Sequence, residues 1–412
     1  MLSIVYLMLF LSGGAVIARL LLPRLKPVLR VYLGLSLGVL LLMWLPVLWA
    51  YAVRFSYAAH WLALGTLALL VGAAWLWRDR RAPAPFDETE KRTLRLLLVL
   101  VVPLTVLGGY LQYTHSIRLA ADGTYHVGQS TYGDLSLHLA VCTSIVNASF
   151  PLENSLMLGA TMAYPYLSDS IATSMLMLGM PLNTAMAFTG TIMMALVYAG
   201  YGLLAMQLCR RRGAAALAFF LLFLNGGLGF FYTLDATVNG YEVTTMWDNL
   251  ANVMQGYYQT PTNQPDPHNL RWVNIICDML VPQRGILGGW TLLMPALNLL
   301  VPPLCRRERH GVRELVLLGL FLVTKNLRVV LYGGLLTVVF LVWGGIFLHY
   351  FQKKLTLFTD SLCRTLDDMM DSTARPEMDY EAETLLARIS HRLERLYNIC
   401  LLYTSPSPRD TR

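Results

Sequence analysis

Long apolar stretches alternate with polar ones along the first 313 residues. Stretches of about twenty apolar residues can cross a bilayer as helices, and only internally hydrogen-bonded backbone is stable in hydrocarbon. The first stretch lacks the basic start and small-residue cleavage site of a signal peptide, so it counts as a span. The pattern predicts seven spans, at residues 1–22, 31–53, 57–77, 94–113, 182–207, 214–232 and 285–304.

One more apolar stretch, residues 166–181, is interrupted by Asp169. Counting it as a span would move the arginines at 210–212 to the opposite side of the membrane, against the trend of the other cations. We therefore predict a helix that lies at the outer membrane interface.

The cations divide the polar segments into two classes. Seventeen lysines and arginines follow the first, third, fifth and seventh runs, whereas the alternate segments hold only Arg54, Arg118, Arg271 and Arg284. Because cytoplasmic loops carry the excess of positive charge, the first class should be cytoplasmic. Residues 114–181 and 233–284 then form two large outward loops, and the N-terminus lies outside. The expected fold is an all-α, polytopic helix bundle in the cytoplasmic (inner) membrane.

Composition agrees with a membrane protein and excludes a nucleic-acid-binding one. Hydrophobic residues make up 56% of the chain and charged residues 14%, far from a soluble average. The net charge of +7 comes from cations at the ends of spans and not from one patch, so a nucleic-acid partner is excluded and the lipid bilayer is the expected one. The six cysteines show neither metal-like nor disulfide-like spacing.

The pattern changes after Arg313. Residues 314–323 are apolar but would form a helix of only about 15 Å, half the length a bilayer needs. A further run at 329–350 predicts an eighth span, yet cations flank both of its ends. The boundary near residue 322 therefore separates a membrane domain, residues 1–322, from a segment of different character.

The last ninety residues resemble two unrelated kinds of sequence. Residues 358–370 and 383–397 resemble the signalling helix after the last span of some sensor histidine kinases, although the proline expected after Ser390-His391 is missing. Their heptad-like spacing favours a coiled-coil helix. Residues 400–412 resemble a translated transposase-type sequencing adapter, with a disordered Ser/Pro tail as the alternative. We expect a truncated membrane domain, a kinase-like fragment at 323–399 and a non-native tail.

The first outward loop holds groups that can exchange protons, namely Asp122, His126, Asp134 and His138. On a helix that starts near Gly133, Asp134 and His138 are four residues apart and share a face. This pair could bind a divalent metal ion, or His138 could tune the carboxylate. No third metal ligand is fixed by a motif.

The second outward loop combines aromatic side chains with carboxylates, which suits either sugar binding or a membrane-interface belt. Arg284 lies at the mouth of the seventh predicted span. Its guanidinium could bind a lipid phosphate through two hydrogen bonds, or it could be a flanking residue that reaches to the interface. Arg271 and His268 are further candidates for binding.

The order of motifs around the first loop resembles a known superfamily. Gly133-Asp134 with His138 is followed by an apolar helix at 139–150, Phe150-Pro151, and Tyr164-Pro165-Tyr166. Over about residues 94–304 this order is similar to the GT-C superfamily of polyprenyl-phosphate-dependent glycosyltransferases. Three spans precede the loop-bearing helix here, whereas many members begin with that helix.

The resemblance implies a catalytic role for one residue. In that superfamily an aspartate of the first large outer loop acts as catalytic base or metal ligand, and the matching residue is Asp134. The expected function is inverting transfer of a sugar from a polyprenyl-phosphate donor to an unidentified acceptor at the outer membrane face. A divalent metal ion at Asp134 and His138 is the one cofactor considered. The candidate substrate-binding residues are Arg284, Arg271, His268, Asp122 and Tyr164.

Two other functions stay open. A transporter or lipid-handling protein without chemistry would need ionisable residues near the middle of its spans, and the predicted spans are nearly free of them. A sensor-kinase fragment is favoured only by residues after 322.

Overall fold

The computed structural model describes residues 1–128, 132–209, 211–226, 274–306 and 311–322, with single positions at 247 and between 349 and 360. The predicted all-α membrane architecture is confirmed. The described helices are α1 (Leu2–Leu21), α2 (Pro27–Val53), α3 (Tyr57–Leu76), α4 (Glu88–Leu111), α5 (Tyr132–Ile145), α6 (Leu167–Met177), α7 (Leu182–Leu208), α8 (Arg212–Phe223), α9 (Arg284–Arg306) and α10 (Val312–Leu322). A hairpin joins β1 (Ile117–Leu119) to β2 (Tyr125–Val127).

The chain divides into two compact units, Met1–Val330 and Leu331–Arg412. All the named elements belong to the first unit. In the second unit the described positions lie between His349 and Asp360 and are helical. The predicted kinase-like fragment beyond residue 360, the tail at 400–412 and most of the run at 329–350 lie outside the described residues.

Six of the described helices are long and apolar enough to cross a membrane: α1, α2, α3, α4 with the π-turn that extends it to Ser116, α7 and α9. They correspond to six of the seven predicted spans. At the remaining one, residues 214–232, the described part is the twelve-residue α8, and residues 227–232 lie outside the described ranges. At the apolar stretch after Arg313 the described part is the eleven-residue α10, and residues 323–348 lie outside the described ranges.

Helices α1 and α2 touch through their backbones. A Cβ atom on Gly14 would collide with the carbonyl oxygen of Gly34 and the backbone nitrogen of Gly38, and one on Gly38 would collide with Phe10. Small residues let membrane helices approach in this way. Most of α2 is buried, including Leu33, Leu37 and Leu42, whereas α1 and α3 are buried over about a third of their length, so α2 is the central helix of the first three.

Contacts between elements define two ends of the bundle. We call the end with the α1–α2 and α3–α4 connections the basic end, and the end with the α2–α3 turn the loop end. At the basic end, Asp79 N donates to Leu20 O over 2.9 Å, and Val28 N donates to Glu90 Oε2 over 3.0 Å. At the loop end, Phe55, in the turn between α2 and α3, donates from its backbone nitrogen to Ala148 O over 2.8 Å. The segment between α4 and α7, which contains the hairpin, α5 and α6, lies at the loop end.

Helices α5 and α6 lie in that segment. Helix α5 begins at Tyr132, close to the start predicted near Gly133. Helix α6 has eleven residues, too few for a span, as predicted for this stretch. It is, however, buried along nearly its whole length instead of leaving one face at the membrane surface. Some of its polar side chains have partners in neighbouring helices: Thr173 Oγ1 donates to Cys142 O over 2.9 Å, and Ser170 Oγ donates to Met43 O over 3.3 Å.

Candidate functional site

Arg284 is the centre of a buried polar cluster at the loop end. It is the first residue of α9, and its side chain is 1% exposed. Its guanidinium donates to Asp169 Oδ1 (3.0 Å), Met186 O (2.9 Å), Ser168 O (3.2 Å) and Thr189 Oγ1 (2.9 Å). Four hydrogen bonds engage most of the five N–H donors that an arginine has.

His138 connects the same cluster to α5. Its Nδ1 lies 2.9 Å from Asp169 Oδ2, and its Nε2 lies 3.2 Å from the backbone nitrogen of Arg284. A backbone N–H can only donate, so Nε2 must be the unprotonated acceptor and Nδ1–H must donate to the carboxylate. The geometry therefore assigns His138 as the neutral Nδ1–H tautomer. We call Arg284, Asp169 and His138 the buried triad.

The buried triad balances its charges and joins four elements. One cation and one anion face each other beside a neutral imidazole, with α5, α6, α7 and α9 each supplying a group. A buried ion pair is tolerated when further hydrogen bonds satisfy the remaining donors and acceptors, and removal of one partner costs about 3–5 kcal/mol. The triad therefore fixes α5 against the ends of two membrane-crossing helices.

Asp134 and Tyr164 lie near His138 of the buried triad, and we call the place of these two residues the rim of the triad. Asp134 is partly buried and precedes His138 by one turn of α5. The Tyr164 hydroxyl is 3.5 Å from His138 Nε2, and the two rings meet edge to face at 5.5 Å. Partial burial, then the charges of Asp169 and Asp134, raise the pKa of Tyr164 above its usual value. The rim thus presents a carboxylate close to a neutral hydroxyl donor.

The position of Asp134 in the first turn of a fourteen-residue helix suits a negative charge, because unpaired backbone N–H groups give that end a positive potential. The carboxylate is only partly buried, whereas Leu135 and His138 on the same helix are buried. A group able to accept a proton therefore lies beside the buried part of the bundle.

The structure brings some predicted site residues together and separates others. His138, Arg284 and Tyr164 are in contact, and Asp134 is close enough to act on Tyr164. Asp122 instead lies at the exposed tip of the hairpin, where Thr124 donates to its carboxylate from backbone and hydroxyl and lowers its pKa. Arg271 and His268 lie outside the described residues.

Arg284 does not present two free, accessible N–H donors, as the binding of a lipid phosphate through two hydrogen bonds would need. The guanidinium is buried, and its donors are engaged by groups of the protein itself. Four of its five N–H donors are engaged, so binding a phosphate through two hydrogen bonds would require at least one of these bonds to break. The arrangement supports an anchoring role for Arg284, and phosphate binding by this residue stays a prediction.

The residues present do not fit a metal ion at Asp134 and His138. Both imidazole nitrogens of His138 are engaged, one with Asp169 and one with the backbone of Arg284. A metal ligand needs a free lone pair on nitrogen. Within the described ranges no group of three or more His, Cys, Asp and Glu side chains is arranged to hold a metal. We therefore derive no step through a metal.

Asp169 and Thr189 are site residues that the sequence did not single out. Asp169 was noticed only as an interruption of an apolar stretch, and Thr189 is one hydroxyl in a long span. A signal was available: an acidic residue inside an apolar stretch needs a partner, and Arg284 is one of four cations on the sparse side. Pairing these two exceptions would have predicted the ion pair.

Comparisons of the chain with family models, with curated proteins and with solved structures find no match in any of the three. The function must therefore be argued from the site itself and from the resemblance in motif order described above.

Proposed function

We propose that the membrane domain of this chain belongs to a glycosyltransferase that moves a sugar from a polyprenyl-phosphate carrier to an acceptor hydroxyl. The observation that carries the proposal is that Asp134 and Tyr164 both lie near His138 of the buried triad, Asp134 one helical turn before it and the Tyr164 hydroxyl 3.5 Å from its Nε2. A proton acceptor and a neutral donor are therefore both present where membrane-crossing helices end. That is the place where a lipid-linked sugar and a water-soluble acceptor can both reach the same groups.

In the proposed reaction Asp134 accepts the proton of the acceptor hydroxyl. The hydroxyl oxygen forms a bond to the anomeric carbon as the bond between that carbon and the phosphate oxygen breaks, with inversion. Polyprenyl phosphate leaves with the electron pair. A positioned base contributes a rate factor of about 10²–10⁴ in such steps. The Tyr164 hydroxyl, kept neutral by its raised pKa, donates a hydrogen bond to an anionic oxygen of the donor phosphate.

The buried triad serves this chemistry by holding Asp134 in place. A base must stay within hydrogen-bond reach of the proton it removes, and small displacements are costly. Asp134 is four residues from His138 on the same helix, and His138 is fixed at both nitrogens. The triad therefore holds α5 one helical turn after Asp134.

In this proposal the loop end faces outward and the basic end faces the cytoplasm of a bacterial inner membrane. The distribution of lysine and arginine supports this orientation. It gives the site access to an extracytoplasmic acceptor and to a carrier lipid in the outer leaflet.

A transporter is the rival from another class, and the triad bears on it. Buried charges in transporters mark substrate paths near the middle of the membrane. Arg284 is the first residue of α9, and Asp169 belongs to the short α6 instead of a span. The triad therefore lies where spans end, which favours a surface reaction over a path through the bundle.

The test measures release of polyprenyl phosphate from a radiolabelled polyprenyl-phosphate hexose by the purified chain in nanodiscs, with a cell-envelope extract as the source of acceptors. Asp134→Asn should lower the rate by about 10²-fold or more, because it removes the base. The control is Glu88→Gln, which removes a carboxylate from the exposed Glu88–Lys91 pair at the start of α4 and should leave the rate unchanged. Equal rates for Asp134→Asn and the unchanged chain would overturn the proposal.

A further inference from the structure

Three adjacent apolar side chains are exposed at the tip of the segment Leu152–Met162, which lies between α5 and α6. Leu156, Met157 and Leu158 are 73%, 64% and 95% exposed. Of the large apolar side chains in the described ranges, only Met1 is more exposed than Leu158. These residues belong to no span, so contact with the hydrocarbon core around the helices does not account for them. We call this segment the apolar loop.

Hydrogen bonds inside the apolar loop pair several of its backbone groups. A bridge between Glu153 and Thr161 closes its base. Asn154 Oδ1 accepts from the backbone nitrogens of Leu156 and Met157, at 2.9 and 3.2 Å. These bonds favour the backbone conformation in which the three apolar side chains are exposed.

Two further amides are paired inside the loop. Gly159, with a φ of +79°, donates from its nitrogen to Glu153 Oε1 over 2.5 Å, and Ala160 N donates to Met157 O over 3.2 Å. No charged residue occurs between Glu153 and Asp169. Four paired amides and an uncharged tip both lower the cost of moving this segment from water into an apolar medium.

The base of the apolar loop lies level with the turn at which α2 and α3 meet. Asn147 N donates to Phe55 O over 3.2 Å in that turn. Phe150 stacks on Phe55 and on Tyr51, near the end of α2, with ring centroids 6.3 and 5.5 Å apart. Two membrane-crossing helices end here, and Tyr51 and Tyr57 are about half exposed, as aromatic residues at a membrane surface are.

We propose that the tip of the apolar loop, Leu156–Leu158, inserts into the lipid leaflet at the loop end and anchors the segment between α4 and α7 to the membrane surface. Leu156 is four residues from Leu152, and Leu158 is four residues from Met162. Four residues at full extension span at most about 14 Å, so the tip stays within reach of the headgroups beside the α2–α3 turn. The bilayer is present around every copy of a membrane protein, and this loop offers it three apolar side chains on a backbone whose amides are mostly paired inside the loop. The proposal is independent of the proposed reaction.

The test places the photo-crosslinking residue p-benzoylphenylalanine at position 157 or at position 121. Ala121 is the matched control, because it is exposed in the polar tip of the hairpin that follows α4 at the same end of the bundle. The full chain is reconstituted in nanodiscs of phosphatidylethanolamine and phosphatidylglycerol and irradiated, and adducts are identified by mass spectrometry. We expect a lipid adduct at position 157 in a yield several times that at position 121.

A second variant separates insertion from mere proximity. With the crosslinker at 157, Leu156→Ser and Leu158→Ser together should lower the lipid adduct toward the value at 121, because the flanking side chains supply the apolar contact. All three side chains are exposed, so the fold should tolerate the changes. Equal adduct yields at 157 and 121, a yield unaffected by the serines, or cross-linking of 157 to a second copy of the chain would each overturn the proposal.

Discussion

An arginine paired with an aspartate occurs at each end of the bundle, and the two pairs differ in their surroundings. At the loop end, Arg284 Nε lies 3.0 Å from Asp169 Oδ1, with side chains 1% and 0% exposed. At the basic end, Arg313 NH1 lies 3.2 Å from Asp79 Oδ2, with side chains 24% and 11% exposed. Both arginines stand in the first turn of a helix. The N–O distances alone would predict two ion pairs of equal strength.

The difference lies in what else each arginine contacts. Arg284 has three further acceptors and a histidine that completes its partner's hydrogen bonds. Arg313 donates to Trp77 O over 2.9 Å and lies over the Trp77 ring, and Asp79 is shared with Arg81. A fully exposed pair contributes about 0–1 kcal/mol, whereas a buried pair is costly to break. The same two residue types thus form a fully buried pair at the loop end and a partly exposed pair at the basic end, and we expect the partly exposed pair to contribute less.

The largest expected effect is that of Arg284→Met. It leaves Asp169 buried without its cation, which should lower the free energy of unfolding by about 3–5 kcal/mol. Thermal unfolding of the detergent-solubilised chain, followed by size-exclusion chromatography, measures the loss. Arg313→Met is the matched control and should cost about 1 kcal/mol or less. Equal losses would mean that burial does not distinguish the two pairs.

Removing both charges of the Arg284–Asp169 pair should lower the free energy of unfolding less than removing the arginine alone. Asp169→Leu combined with Arg284→Met takes away both buried charges, and replacing a buried pair by apolar residues is often nearly neutral. We expect the double variant to be more stable than Arg284→Met alone, in the same unfolding measurement. A double variant whose loss equals the sum of the two single losses would show that the charges are not coupled.

A smaller loss should follow from His138→Leu. It removes the partners of Asp169 Oδ2 and of the Arg284 backbone N–H while the ion pair stays, at a cost of about 1–3 kcal/mol per unsatisfied buried group. If His138 also positions Asp134, the release of polyprenyl phosphate should fall by a larger factor in this variant than in Arg313→Met, measured at a temperature where both are folded. Unchanged release in a folded His138→Leu protein would remove His138 from the site.

The smallest effect on stability is expected for Tyr164→Phe, and it should depend on pH. Burial and two carboxylates raise the pKa of Tyr164, so its proton is held more tightly in the folded chain than in the unfolded one. The stabilisation by the neutral phenol is complete below the ordinary tyrosine pKa of about 10 and is lost as the pH rises through the raised value. The difference in melting temperature between the unchanged chain and Tyr164→Phe should therefore shift in favour of the variant above pH 10. A difference that stays constant with pH would contradict the raised pKa.

The spans and their order were predictable, whereas the buried triad was not. Apolar length follows from the thickness of the hydrocarbon core, so six spans could be predicted from the sequence. The shared helix of Asp134 and His138 followed from spacing. Hydrogen bonds of Asp169 and Arg284, 115 residues apart, depend on how four elements meet. Hydropathy also missed that α6 is enclosed by neighbouring helices, because apolar residues suit either environment.

The backbone contact between α1 and α2 bears on how the protein is made. The glycines that allow it lie within the first 38 residues, and the contact involves main-chain atoms instead of side chains from later segments. We expect these two helices to form a stable hairpin in the bilayer while the ribosome is still translating the helices that complete the bundle. Every later span would then assemble on a template that already exists.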